Sequence, residues 1–297
     1  WTTTPWTLPA NLAVCVNANL EYEAIQLETG EIYILGKDTW KNCGLKLEPK
    51  PIIIKTFLGR KLLGVKYTPP FPTYSRITDT PSHEKWFSVL GDDYVKECAS
   101  SNTGTAIVHL APLFGEDDYR ICLEQHITTP ADMPLLELID KNCNIPNNLA
   151  INLDSKYYGR LILETETDII KDLKAAQALV RTQQIRHEYP YCYRTDTPLV
   201  YRTYNSFYVN IQPIKARMIE LNQQINWYPE STGLKRFHGW LEDARDWCIS
   251  RSRYFGTPIP VWMSQDGDML VIGSITELEN YSGLLLNDIH PEYIEMS

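Results

Sequence analysis

Three stretches of this sequence carry side chains whose types could do chemistry together. Residues 1–11 read WTTTPWTLPAN, which sets the hydroxyls of Thr2, Thr3, Thr4 and Thr7 beside the indole of Trp6 and the amide of Asn11. Pro5 and Pro9 stiffen this backbone, and no charge lies on it. Its hydroxyls can therefore position a water and shape a small cavity, but they cannot by themselves make a strong nucleophile. The plain alternative is the start of a strand punctuated by proline. Residues 105–112, TAIVHLAP, place His109 at the end of an apolar run, where a lone histidine is more often structural than a base. Residues 111–119, APLFGEDDY, follow with Phe114, Asp117 and Asp118. An acid there stabilises a helix N-terminus through the macrodipole, and it could also anchor a substrate ammonium through a charge-assisted bond. Phe114, taken singly, reads as a core residue.

Other chemistries find no support. NTGT at residues 102–105 invites comparison with an aspartic protease, but that reaction needs two carboxylates sharing a proton, and here the position is Asn102 with no second copy. G-x-S-x-G, P-loop and G-x-G-x-x-G motifs are all absent. The cysteines at 15, 43, 98, 122, 143, 192 and 248 are scattered and odd in number, without C-x-x-C, and no H-E-x-x-H occurs. Small buried thiols in a reducing compartment are expected, with neither a disulfide framework nor a metal site. The net charge of −9 is the wrong sign for an autonomous nucleic-acid binder, so a nucleic acid would have to be delivered by another domain. No apolar run reaches the length of about 18 residues that a membrane span requires. The abrupt start at Trp1 reads as an interior piece of a larger protein.

These residues must be positioned by a chain of 297 residues, 43% hydrophobic and 22% charged, an ordinary globular composition with length for about two domains. LAVCVNAN and YEAIQLETGEIYILG read as short strands, with ETGE as a hairpin turn in which Gly30 takes positive φ. PIIIKTF reads as a buried strand and KYTPPFPTY as a proline loop. DDYVKECASSNTGTAIVHLAP reads as two strands joined at Asn102, Thr103 and Gly104. GEDDYRICLEQH opens a helix near Glu116, with Tyr119, Cys122 and Leu123 on one face. TETDIIKDLKAAQALVRTQQI is the clearest helix: Thr165 and Asp168 resemble a capping box, and Ile169, Leu173, Ala176 and Val180 recur at helical spacing. The character changes near Arg186, where HEYPYCYRTDTPLVYRTYNSFYV is aromatic and strand-like and IKARMIELNQQI a short helix.

WTTTPWTLPAN (1–11), GTAIVHLAPLFGEDDY (104–119) and DWCISRSRYFGTPIPVW (246–262), taken together and in this order, resemble the isoleucyl-tRNA synthetase family. The likeness is to its inserted editing domain and the segment returning to the catalytic core. YPYCYRTDTPLVYRTYNSFYV (189–209) resembles the cytosolic, eukaryote-type branch. The resemblance implies an α+β fold with a β-barrel core surrounded by helices, an editing domain over 1–185, and the rest of the insertion with part of the core over 186–297. It implies hydrolysis of valine wrongly esterified to the isoleucine tRNA, a water attacking the aminoacyl ester. Thr2, Thr3, Thr4, Trp6, Thr7 and Asn11 match the family's threonine-rich wall, and His109, Phe114 and Asp118 its facing wall. Asp118, directly before Tyr119, matches the ligand of the amino group. On this likeness Asp118, Thr7 and His109 form the catalytic set, while Thr2, Thr3, Thr4, Trp6, Asn11 and Phe114 contact substrate.

A second site is needed because one methylene is worth only about 1–3 kcal/mol of discrimination, a figure for which valine and isoleucine are the reference case. The implied partners are the 3′ end of a mischarged tRNA, valyl-adenylate and the rest of the synthetase, in the cytoplasm. H-I-G-H and K-M-S-K-S are absent, so ATP and magnesium belong to the parent enzyme and no cofactor or metal is expected in this piece. Two other readings stand beside it: the related domain of valyl-tRNA synthetase, which would remove threonine, and a non-catalytic module that docks the tRNA acceptor end.

Overall fold

A computed structural model describes residues 1–41, 50–96, 104–148, 150–184, 188–251, 259–264, 266–286, 288 and 290. Cys43, Cys98, the turn residues Asn102 and Thr103, and the expected domain boundary at 185–186 lie outside them. The chain divides into two compact units, Trp1–Thr203 and Tyr204–Ser297.

In the first unit the apolar run after Asn11 becomes β1 (Ala13–Val16), with Ala13, Cys15 and Val16 wholly buried. It is the central strand of its sheet, and a strand covered on both faces shows no polar alternation. β5 (Val89–Gly91) runs parallel to β1 and β6 (Val108–Leu110) antiparallel, with Val14 opposite His109. A second, antiparallel sheet has the order β3-β2-β4, from β2 (Glu21–Gln26), β3 (Ile32–Gly36) and β4 (Ile52–Leu58). The hairpin at ETGE forms, with Gly30 at φ 89° and the Leu27 amide bonded to the Glu31 carbonyl at 2.9 Å.

β4 corrects one expectation. Ile52, Ile53 and Ile54 are 66%, 46% and 49% exposed, because their strand is the edge of a small sheet, and an apolar run alone does not separate an edge strand from a buried one. The β-barrel is a second correction. Among the described residues the strands form separate sheets of two or three members, and none closes. Short strands leave the two larger sheets to meet through individual bonds. The Gly36 amide donates to the Thr105 carbonyl at 2.8 Å, and a Cβ on Gly36 would stand 2.6 Å from that of Ala106. Tyr22, fully buried, donates its hydroxyl to the Ala106 carbonyl at 2.8 Å and accepts the Asn17 amide at 3.0 Å. Tyr22→Phe removes a partner from each of those backbone groups in the core. The expected loss is roughly 1–3 kcal/mol, read as a lower denaturant midpoint at unchanged slope.

α1 (Glu116–Glu124) buries Ile121 and Cys122, with Tyr119 and Leu123 half-buried, so its inner face is turned toward Ile121 from the expected one. α2 (Glu166–Ala175) buries Ile169 and Leu173 as its spacing predicts. It stops earlier than the pattern, since Gln177 turns to φ 55° and Val180 is exposed. The capping box does not form: the Thr165 hydroxyl donates to the Ile162 carbonyl at 2.6 Å, and Asp168 pairs with Arg160 at 2.8 Å and Lys171 at 3.1 Å. α2 and the 3-10 turn Ile162–Thr165 pack against the turn Pro5–Ala10, which fixes that turn from behind.

The second unit pairs β7 (Tyr208–Val209) with β8 (Trp247–Cys248), packs α3 (Gln212–Asn222) against α4 (His238–Glu242), and adds the antiparallel pair β9 (Val261–Met263) and β10 (Met269–Val271) and the helix α5 (Ile275–Ser282). The aromatic segment read as strand-like supplies β7 and one isolated bridge, Tyr191 with Pro198, among its described residues. Of the described free cysteines, Cys15 and Cys122 are buried, while Cys143, Cys192 and Cys248 are only half-buried. No helix of the described residues is long and apolar enough to cross a membrane.

Candidate active site

The threonine-rich segment is a 3-10 helix, Pro5–Ala10, and not a strand. Proline at the first position has its φ already set and forfeits no bonded N–H. The turn closes with the Thr7 amide on the Thr4 carbonyl and the Asn11 amide on the Leu8 carbonyl, each at 3.0 Å. It buries Trp6 and Thr7 and delivers Asn11 to the start of β1. β6 runs alongside, so His109 reaches both. Its Nε2 lies 2.9 Å from Thr7 Oγ1 and its Nδ1 3.3 Å from Asn11 Nδ2.

Counting hydrogens gives every bond here a direction. Asn11 Nδ2 donates to the Ala13 carbonyl at 3.0 Å, and Asn11 Oδ1 accepts the Tyr67 hydroxyl at 2.5 Å. The amide therefore presents N–H to His109, whose Nδ1 must accept and whose Nε2 must carry the proton. Thr7 Oγ1 accepts from Nε2 and spends its own hydrogen on the Thr4 carbonyl at 2.9 Å. The Thr4 hydroxyl then donates to Thr7 Oγ1 at 3.3 Å, and the Thr2 hydroxyl to Thr4 Oγ1 at 3.3 Å. The row runs in one sense, from Thr2 through Thr4 and Thr7 back to the Thr4 carbonyl. Thr2 Oγ1 also takes the Thr4 amide at 3.0 Å. By this count one acceptor position remains on each of the Thr2 and Thr4 oxygens.

His109 is neutral in this arrangement, and enclosure of its ring holds its pKa down to about 4. With Nδ1 engaged by Asn11, it orients Thr7 and does not act as a proton acceptor. The buried thiols offer no nucleophile either: burial, with Asp92 and Asp118 nearby, pushes Cys15 up to about 12, and burial raises Cys122 as well.

The acid wall continues the segment that carries His109. Asp118, in the first turn of α1, accepts the Ala111 amide on Oδ2 at 2.9 Å, two residues along the chain from His109. Gly115 permits that fold-back, since a Cβ there would stand 2.7 Å from Asp118 Cγ. Enclosure raises the Asp118 carboxyl from 3.8 to about 6, and the Asp117 charge adds to the rise. Asp117 turns instead to Arg120 at 3.3 Å, which also holds Asp92 at 3.1 Å and Glu124 at 3.0 Å. Of two adjacent acids, one is neutralised at the surface and the other is set into the site. Trp6 of the turn and Phe114 of the acid segment meet edge to face, with centroids 5.5 Å apart, and both belong to the core.

Thr2, Thr4, Thr7, Asn11 and His109 thus share one bonded network, and Asp118 bonds the amide of Ala111, the residue that follows β6. Thr3 is exposed and takes part in none of these bonds. Sequence reading missed Tyr67. Nothing in KYTPPFPTY marks it, because the tyrosine lies 56 residues from the asparagine it bonds. Among the described residues, no group of three His, Cys, Asp or Glu side chains could hold a metal ion.

Residues 4–286 match the family described as tRNA synthetases class I (I, L, M and V), and the chain belongs to that family. Within it, the chain is 40% identical over 299 residues to an isoleucine--tRNA ligase of Chlamydia pneumoniae, covering 99% of this chain and 26% of the relative. It is 38% identical to the cytoplasmic isoleucine--tRNA ligase of Arabidopsis thaliana (99% and 26%) and 37% identical to that of Mus musculus (99% and 22%). The chain spans about a quarter of the length of the curated relatives it matches. Among solved structures, GlLeuRS-CP1 aligns with a TM-score of 0.42 at 13% identity, over 63% of this chain and 82% of that one, a likeness too loose to carry an argument.

Proposed function

We propose that the first unit is a hydrolytic proofreading domain of an isoleucyl-tRNA synthetase, clearing valine esterified to the isoleucine tRNA. The observation that carries this reading is an enclosed anion, Asp118, held by the amide two residues beyond His109, the histidine that donates into a directed row of neutral hydroxyls. Asp118 grips the α-ammonium by a charge-assisted bond. A water gives its hydrogens to the free acceptor positions on Thr2 and Thr4, which turns its lone pair toward the ester carbonyl carbon. The water oxygen bonds to that carbon, the carbon–oxygen ester bond breaks, and the water's proton leaves on the ribose oxygen. Valine and uncharged tRNA result. An aminoacyl ester is already activated, so placement supplies much of the acceleration. Thr7, β-branched and buried, limits the side chain admitted.

Valyl-adenylate presents the same ammonium and an activated carbonyl, and it is a second substrate of the same site. The tRNA 3′ end arrives with the rest of the synthetase, in keeping with this chain's charge of −9. ATP and magnesium serve the parent enzyme's synthetic site, and the compartment is the cytoplasm.

Deacylation of valyl- and threonyl-tRNA by the chain tests the reading. Valyl-tRNA should be hydrolysed and isoleucyl-tRNA spared. Preferential release of threonine would assign the domain to a valyl enzyme, and binding of the acceptor end without hydrolysis would make it a docking module.

A further inference from the structure

Tyr67 stands outside the set of residues expected to touch substrate, yet the site's hydrogen-bond directions begin with it. Its hydroxyl donates to Asn11 Oδ1 at 2.5 Å, and that bond commits the Asn11 amide to point N–H at His109. The ring is fixed independently of the hydroxyl, edge-on to Phe87 at 6.3 Å and 81°. The residue is half-buried, and enclosure raises its phenol pKa, so the donor keeps its proton.

We propose that Tyr67 is a positioning residue whose hydroxyl, through Asn11, locks His109 as the Nε2–H tautomer and so sets the direction of the Thr7–Thr4–Thr2 row. The consequence follows from the hydrogen count. If Asn11 turned its oxygen to His109, Nδ1 would carry the proton and Nε2 would accept from Thr7. Thr7 would then have no hydrogen for the Thr4 carbonyl, and the acceptor positions on Thr2 and Thr4 would no longer be specified. Asn11 alone does not settle the choice, because a terminal amide turned over fits nearly the same space. The bond from Nδ2 to the Ala13 carbonyl and the Tyr67 bond to Oδ1 decide it together, and Tyr67 is the only side chain of the two.

The role of the row in hydrolysis rests on the proofreading reading above; the tautomer does not. The experiment therefore has two readouts on the 297-residue chain. Imidazole 15N shifts of labelled protein report which nitrogen of His109 is protonated, whatever the chain hydrolyses. The unsubstituted chain should show Nε2–H. Tyr67→Phe, which keeps the ring contact, should populate Nδ1–H and lower kcat for valyl-tRNA by about 10- to 100-fold at nearly constant KM. Asn11→Asp, which can only accept from Nδ1–H, should reverse the tautomer outright and serves if Tyr67→Phe folds poorly. An Nδ1–H signal in the unsubstituted chain, or an unchanged Nε2–H signal in folded Tyr67→Phe, overturns the role of Tyr67. The expected tautomer change in a chain that hydrolyses no aminoacyl ester would leave Tyr67's role standing and sink the proofreading reading.

Discussion

Asp118→Asn is expected to abolish deacylation of valyl-tRNA while leaving the fold intact. Asparagine keeps an oxygen for the Ala111 amide, so the local backbone bond survives. What goes is the charge that holds the ammonium. Losing one partner of an enclosed charge pair costs roughly 2–5 kcal/mol, about 30-fold to several thousand-fold in kcat/KM. The same carboxylate sets a pH limit. Its pKa is raised to about 6 by burial, so the anion is present above that value and lost as pH falls through it. Deacylation by the unsubstituted chain should fall as pH drops below about 6, the pKa of that carboxyl. His109 should add no second limb near neutrality, because its pKa lies near 4. Burial also makes ionisation of Asp118 unfavourable to folding: between 3.8 and about 6 the folded chain holds the proton more tightly, so stability declines as pH rises through that window. The asparagine variant lacks that loss, and its Tm at pH 8 should be no lower than the parent's. A large drop in Tm, or near-normal hydrolysis, would each contradict the assigned role.

Thr7 is the second decisive position, and two substitutions separate its two tasks. Thr7→Arg puts a long side chain into the hydroxyl row and should remove measurable deacylation by excluding the substrate. Thr7→Val keeps the shape and deletes the hydroxyl, leaving His109 Nε2–H without its acceptor and the Thr4 carbonyl with one donor fewer. The Thr4 carbonyl keeps the Thr7 amide, so the turn survives, and the expected effect is about 10- to 100-fold on kcat with little change in KM, since geometry and not affinity is lost. Equal deacylation by the valine variant and the parent would show that Thr7 contributes only its bulk. Circular dichroism of both variants confirms that the turn Pro5–Ala10 still forms.

The two walls were legible before any coordinates because each is a contiguous run of unusual composition. Hydroxyls beside indoles, and acids after a turn, are local signals. The pairing of β1 with β6 that brings them together is not local, but it was implied once both motifs were matched to one family. Tyr67 was illegible for the same reason in reverse: nothing near it in the chain asks for a phenol, and its partner is distant. The hydrogen-bond directions were beyond reach as well, since they emerge only when every donor on Asn11 is counted. Edge and centre are likewise settled by tertiary pairing, so PIIIKTF was read as buried and is exposed. Thr165 looked like a cap by type and spacing, yet its hydroxyl found the Ile162 carbonyl first.

Pro5 and Pro9 leave the turn that carries Trp6 and Thr7 with few torsions to rearrange, and α2 packs against it. Such a wall works as a fixed gauge. An oversized ligand cannot coax it wider by lingering, so acceptance or refusal is decided on arrival, by dimension alone. On the proofreading reading, a correctly charged tRNA is then turned away without having to be recognised.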